Sequence, residues 1–168
     1  MKRPKSQKKP KPKPKRTPYS KCSDDEKVAR NWIKAKGLFG RGEYSVAIIR
    51  CGICVELIIN FAVRQELVGE LKCPLNFVNK LLKSANGLRN KYHNLFLPMM
   101  EEYEEHDSLK ELWRNKINQI NNNRNAIAHS GEFRSKSVAH DVMQDTYEVL
   151  KAIMDLFEHK AKFKNVEI

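Results

Sequence analysis

The segment "NNNRNAIAHSGEF" (121–133) places an arginine and a histidine five residues apart, with an amide directly after the arginine. A guanidinium stays protonated at any physiological pH, whereas an imidazole gains and loses its proton near neutrality. A fixed cation beside a titratable ring suits chemistry at a phosphate: the first holds the anion and the second moves a proton. Asn125 supplies an amide able to orient either the phosphate or the histidine. Five residues turn an ideal helix by about 140° at roughly 3.6 residues per turn. The two groups therefore occupy different faces, but the long arginine stem can reach a pocket at the helix end.

The elements around this segment determine whether such a pocket exists. Leu109, Leu112, Trp113, Ile117, Ile120, Arg124 and Ile127 recur at steps of three and four, which defines one face of a helix. Arg124 thus starts from a buried stripe, where a guanidinium requires a carboxylate, a phosphate or an opening to solvent. Gly131 predicts a left-handed residue just past the helix end and so a stop at His129 or Ser130. His129 then lies where the helix dipole favours imidazolium. A plainer arrangement is a structural helix end, with Arg124 paired to Glu56 and His129 satisfying the last carbonyls. Glu56 sits in so apolar a helix that it needs a partner, and Arg124 or Arg50 would serve. Ser130 either helps to bind phosphate or caps the helix end. A second Arg-Asn pair, "RNKYH" (89–93), has only three residues between Arg89 and His93. With Lys91 beside it, this run reads as a solvated or RNA-facing surface of an exposed helix. His106, His140 and His159 stand among charged residues and read as surface groups.

No stretch alternates strictly between apolar and polar residues, and no hairpin turn joins β-branched runs. The pattern instead predicts an all-α antiparallel bundle of four to six helices. Ser23 is a good N-cap ahead of Asp24, Asp25 and Glu26, and that helix is expected to end near Gly37. A second helix is expected from about Glu43 to Val68, and a short third one through Ser84. The stretch 85–107 is expected to contain another helix, whose limits Gly87 and Pro98 leave open. Asp107 or Ser108 is expected to cap the helix that carries Arg124, and a last amphipathic helix runs from Val138 to about Lys160. The most hydrophobic run, 44–63, has the length of a membrane span. Arg50 and Glu56 interrupt it, so it reads as the central helix of a soluble bundle, with no membrane association expected.

Among 168 residues, 40% are apolar, enough for one domain with its own core. The charge is concentrated at one end. Residues 1–22 hold ten of the 32 Lys and Arg, no acid and five of the seven prolines. Removing those ten charges from the formal net charge of +12 leaves the domain, residues 23–168, near neutrality at +2. Such a tail cannot bury enough surface to order itself and is expected to be disordered or locally polyproline II. Lys8, Lys9, Lys11, Lys13, Lys15 and Arg16 are its candidate phosphate-backbone contacts; a merely solubilising role is equally consistent with its composition. The tail lacks the apolar stretch of a secretory signal. Of four cysteines, Cys51 and Cys54 form a lone CxxC inside an apolar helix, with no second pair to complete a zinc site. They read as small core residues in a reducing compartment, and neither a metal nor a cofactor is expected.

"RNAIAH" (124–129) matches the R-x4-H signature of the HEPN domains (higher eukaryotes and prokaryotes nucleotide-binding), in the form with asparagine after the arginine. "AKGLFGRGEYSVAIIRCGICVELIINFAV" (35–63) resembles the first two helices of that family, joined by a short glycine-containing loop. The resemblance covers roughly residues 24–160 in architecture and is specific over six. It implies a helical bundle that dimerises and brings two such motifs into one cleft. Many members are metal-independent endoribonucleases, often toxins or antiviral effectors with a cognate antitoxin or nucleotidyltransferase partner. Others bind nucleotides or proteins without turnover. Carried over, His129 would be the general acid or base, Arg124 would hold the scissile phosphate and Asn125 would orient one of them. Glu56 corresponds to a polar residue often found on the second helix near the site. The resemblance implies an RNA substrate, taken to be single-stranded, and a homodimer; the cysteines suit a cytoplasmic location, and the basic tail a nuclear one if the host is eukaryotic.

Overall fold

The computed structural model describes residues 17–157, which form six helices and no strand. The basic tail positions Lys8, Lys9, Lys11, Lys13, Lys15 and Arg16 lie outside the described residues, as does His159. A 3₁₀ turn, Tyr19–Lys21, leads into α1 (Asp24–Gly40). Helix α2 comprises Tyr44–Arg64 and continues through a π-helical turn, Gln65–Glu70. Helix α3 is Leu75–Ser84. Helix α4 covers 88–99, with a π-helical turn Tyr92–Phe96 in its middle. Helix α5 covers 106–130, with a similar turn at Trp113–Ile117, and α6 is Lys136–Leu156.

The bundle is built around α2, which packs against α1, α5 and α6. By length and composition Tyr44–Glu70 could cross a membrane, but most of its apolar residues are core here. Ile48, Cys51, Val55, Ile58, Ile59 and Ala62 are all fully buried. Its charged residues are accommodated by polar partners from neighbouring helices. Arg50 donates to Asn31 Oδ1 of α1 at 3.1 Å, and the Asn31 amide donates to the Tyr19 hydroxyl at 2.9 Å. Burial pushes the Cys51 thiol up to about 12 and also raises that of Cys54 well above its usual range, so both stay as protonated, unreactive core residues.

Local signals explain most boundaries. The backbone N–H of Ser23 donates to Glu26 Oε2 at 3.0 Å, closing the first turn of α1. That helix extends three residues past Gly37, because the chain does not turn until Gly42, at φ 80°. Neither Asp107 nor Ser108 caps α5. The chain enters this helix from the turns at 100–105, and α5 begins at His106. The Ser108 hydroxyl donates backwards to the Glu105 carbonyl at 2.7 Å. Ser135 caps α6 by accepting from the Val138 N–H. The described part of that helix ends at Leu156, short of Lys160.

Candidate functional site

Helix α5 ends as its glycine requires. Gly131 adopts φ 66° and ψ 20°, the left-handed conformation that costs glycine nothing. Its N–H and that of Glu132 both turn back to the Ala126 carbonyl. The following loop is fastened to the start of α2, with the Arg134 N–H donating to Ser45 Oγ at 2.9 Å. The Arg134 guanidinium also donates to Asn123 Oδ1 at 2.7 Å. His129 is thereby exposed on the last turn of a helix whose end is held in place.

Arg124 lies on the side of α5 that crosses α2, and its stem passes over Gly52. A β-carbon at residue 52 would sit 2.8 Å from the arginine Cγ and 3.2 Å from its Cβ. Only a glycine lets the two helices approach this closely. Half-buried, the guanidinium donates to Asn125 Oδ1 at 2.8 Å and pairs with no carboxylate among the described residues. It opens instead into a groove of about 720 Å³ between α2, α4 and α5. Asn125, His129 and Glu56 line the same groove.

Two expected contacts are therefore corrected. Glu56 pairs with neither Arg124 nor Arg50: the Lys91 ammonium lies 2.5 Å from its Oε1. Lys91 itself is buried, not on an exposed face, because α4 turns it inward against α2. With the Glu56 carboxylate already compensated, Arg124 faces the groove as an uncompensated cation. His129 makes no side-chain hydrogen bond among the described residues, so it does not merely tie up the last carbonyls. Ser130 is exposed and lies outside the groove lining.

The "RNKYH" run is divided by the fold. Arg89 is exposed on the groove's edge opposite α5. His93 packs edge-on against Trp113, with ring centroids 4.4 Å apart, and against Tyr92. Burial, with the nearby Arg89 charge, pulls the His93 imidazole below its usual range.

Asparagines, absent from the expected site apart from Asn125, line the groove as well. Asn118, Asn121, Asn122 and Asn125 line one wall of the groove from α5, at spacings that put them on one helical face. Asn86, in the connection before α4, and Asn90, in its first turn, face them. The signal was present in the sequence. Asparagine is a poor helix former, because its amide competes for backbone hydrogen bonds, so a helix face made of it has a reason other than helix stability.

No family model matches the chain, and neither curated proteins nor solved structures show a match to it. The functional reading rests on the groove and on the motif at its end.

Proposed function

We propose that this chain is a metal-independent endoribonuclease of HEPN type that acts on single-stranded RNA as a homodimer. The observation that carries the reading is Arg124. It is half-buried, has no carboxylate partner among the described residues and opens into the groove that Asn125 and His129 also line. A side chain in this state is suited to an incoming anion.

The chemistry follows from the groups available. A base removes the proton from a ribose 2′-hydroxyl, whose oxygen attacks the adjacent phosphorus. The bond to the 5′-oxygen breaks, and that oxygen takes a proton as it leaves. Arg124 holds the phosphate and stabilises the charge that develops on it, while His129 carries the proton. Each protomer supplies one such histidine, so two protomers sharing a cleft would provide both an acid and a base. The products are a 2′,3′-cyclic phosphate and a 5′-hydroxyl, and DNA, which lacks the attacking group, is not a substrate. A basic tail would raise the local RNA concentration by electrostatic attraction. The reading extends to a toxin or antiviral effector, kept in check by a cognate antitoxin or nucleotidyltransferase, in the cytoplasm or in the nucleus of a eukaryotic host.

One observation favours a second reading, a non-catalytic nucleotide-, RNA- or partner-binding module on the same groove. His129 has no hydrogen-bonding group to fix its ring among the described residues, whereas proton-transfer histidines are ordinarily held by one. Digestion of single-stranded RNA by the full chain in EDTA, with analysis of the ends, decides between them. Cyclic phosphate ends support the nuclease. Tight binding without any cleavage, at any protein concentration that sustains a dimer, supports the module.

A further inference from the structure

Arg124 and His129 account for one wall of the groove and leave the other unexplained. Across from them the start of α4 presents Arg89, flanked by Asn86 and Asn90. Arg89 is exposed, and no acid pairs with it among the described residues. The groove's single carboxylate, Glu56, is compensated by Lys91. Two permanent cations on two different helices thus face one trough, and the lining between them is largely neutral amides. An amide donates and accepts at once, so it can bond a base edge or a ribose hydroxyl but cannot neutralise a phosphate. Separate cations joined by amides fit a ligand whose charges recur along its length and whose intervening units are polar.

We infer that Arg89, with Asn86 and Asn90, forms a second phosphate-binding bank, and that the groove holds an extended single-stranded RNA across both banks. This rests on the proposed RNA-cleaving site and deepens it. Arg124 grips the phosphate at the motif, Arg89 grips a neighbouring phosphate of the same strand, and the asparagines contact the ribose and bases between them. A mononucleotide, with one phosphate, engages only the Arg124 bank.

The test uses the full chain and a fluorescein-labelled single-stranded RNA of about ten nucleotides, with binding read by anisotropy over a series of salt concentrations. The His129→Ala background prevents cleavage during the measurement. Adding Arg89→Ala is expected to weaken RNA binding about three- to tenfold and to reduce the slope of log affinity against log salt by about 0.7, the value for one phosphate contact on a single strand. Binding of adenosine monophosphate is expected to stay within about twofold. Arg89→Lys keeps the charge and is expected to recover most of the slope. Circular dichroism checks the fold, although an exposed residue at a helix start leaves little to disturb. If Arg89→Ala leaves affinity and slope unchanged while Arg124→Ala lowers both, the second bank is wrong and the Arg124 site stands. If neither substitution matters, the groove is not the RNA site, and the proposed function falls with the inference. If Arg89→Ala weakens RNA and mononucleotide equally, the two arginines serve one phosphate and the extended-strand inference is overturned.

Discussion

Arg124 crosses α2 at Gly52, where a β-carbon would approach the arginine Cγ to 2.8 Å. The site's cation is therefore positioned by the absence of a side chain on the helix beneath it. Gly52→Ala gains about 1 kcal/mol of helix propensity, yet it forces apart atoms close to the arginine backbone, at a typical overpacking cost of about 1–3 kcal/mol. Net destabilisation of roughly 1 kcal/mol is expected in urea titrations. Combining it with Arg124→Ala should not relieve the contact at Cβ entirely but should remove that at Cγ, so the double variant loses less than the sum of the singles. Strict additivity would show that the two residues do not meet.

His129→Ala should abolish RNA cleavage while changing stability by no more than about 0.5 kcal/mol, since the side chain is exposed. Arg124→Ala should also abolish it. If the shared cleft draws a histidine from each protomer, mixing wild type with excess His129→Ala forms dimers that lack one of the two, and activity falls below the share contributed by the wild-type fraction. Activity that persists in His129→Ala removes this histidine from the mechanism; a fall in simple proportion to the wild-type fraction removes the shared cleft.

Lys91 and Glu56 lie 35 residues apart in sequence, on different helices, and meet at 2.5 Å. Lys91→Met leaves the carboxylate partly buried without its partner. Because Glu56 keeps about a third of its side-chain exposure, the cost is expected near 1–2 kcal/mol, below that of a fully buried pair. The released carboxylate shares the groove with Arg124, so RNA binding should weaken as well. The double variant Lys91→Met, Glu56→Gln should recover RNA binding. If it does not, Glu56 is not what competes for the arginine.

His93 supplies a pH dependence of stability. Its imidazole, packed on Trp113 and near Arg89, binds a proton less readily in the folded chain than in the unfolded one. Above the unfolded value near 6.5 both states are neutral there and the stabilising contribution is complete. As the pH falls through that value toward the lower folded one, the unfolded chain takes up the proton first and stability declines. Thermal midpoints should drop as the pH falls below about 6.5, and less steeply in His93→Gln. An equal slope in both proteins would place the acid sensitivity elsewhere.

The helices were legible because each carries its own signal: Ser23 with its acids, the three-and-four stripe of α5 and the glycine at 131. Long-range partners were not. Periodicity locates the inner face of a helix but says nothing of which residue across the bundle meets it. Arg124 and Arg50 both look like plausible partners for Glu56 in the sequence, and Lys91 takes it instead. The rotation of α4 was least determined, with a π-helical turn between Gly87 and Pro98 shifting its register. That single uncertainty hid both the inward turn of Lys91 and the presence of Arg89 at the groove. At the motif itself, the sequence indicated that Arg124 needed an anion or an opening, and the opening is there.

The groove's floor and its edges are made of different material. Gly52 is buried in the helix at the centre of the bundle, directly beneath Arg124, so almost any exchange there disturbs the packing. Asn86, Arg89, Asn90 and Asn122 stand in water and touch little. New preferences can therefore arise through drift along the banks, at scant risk to folding, while the bed beneath stays frozen.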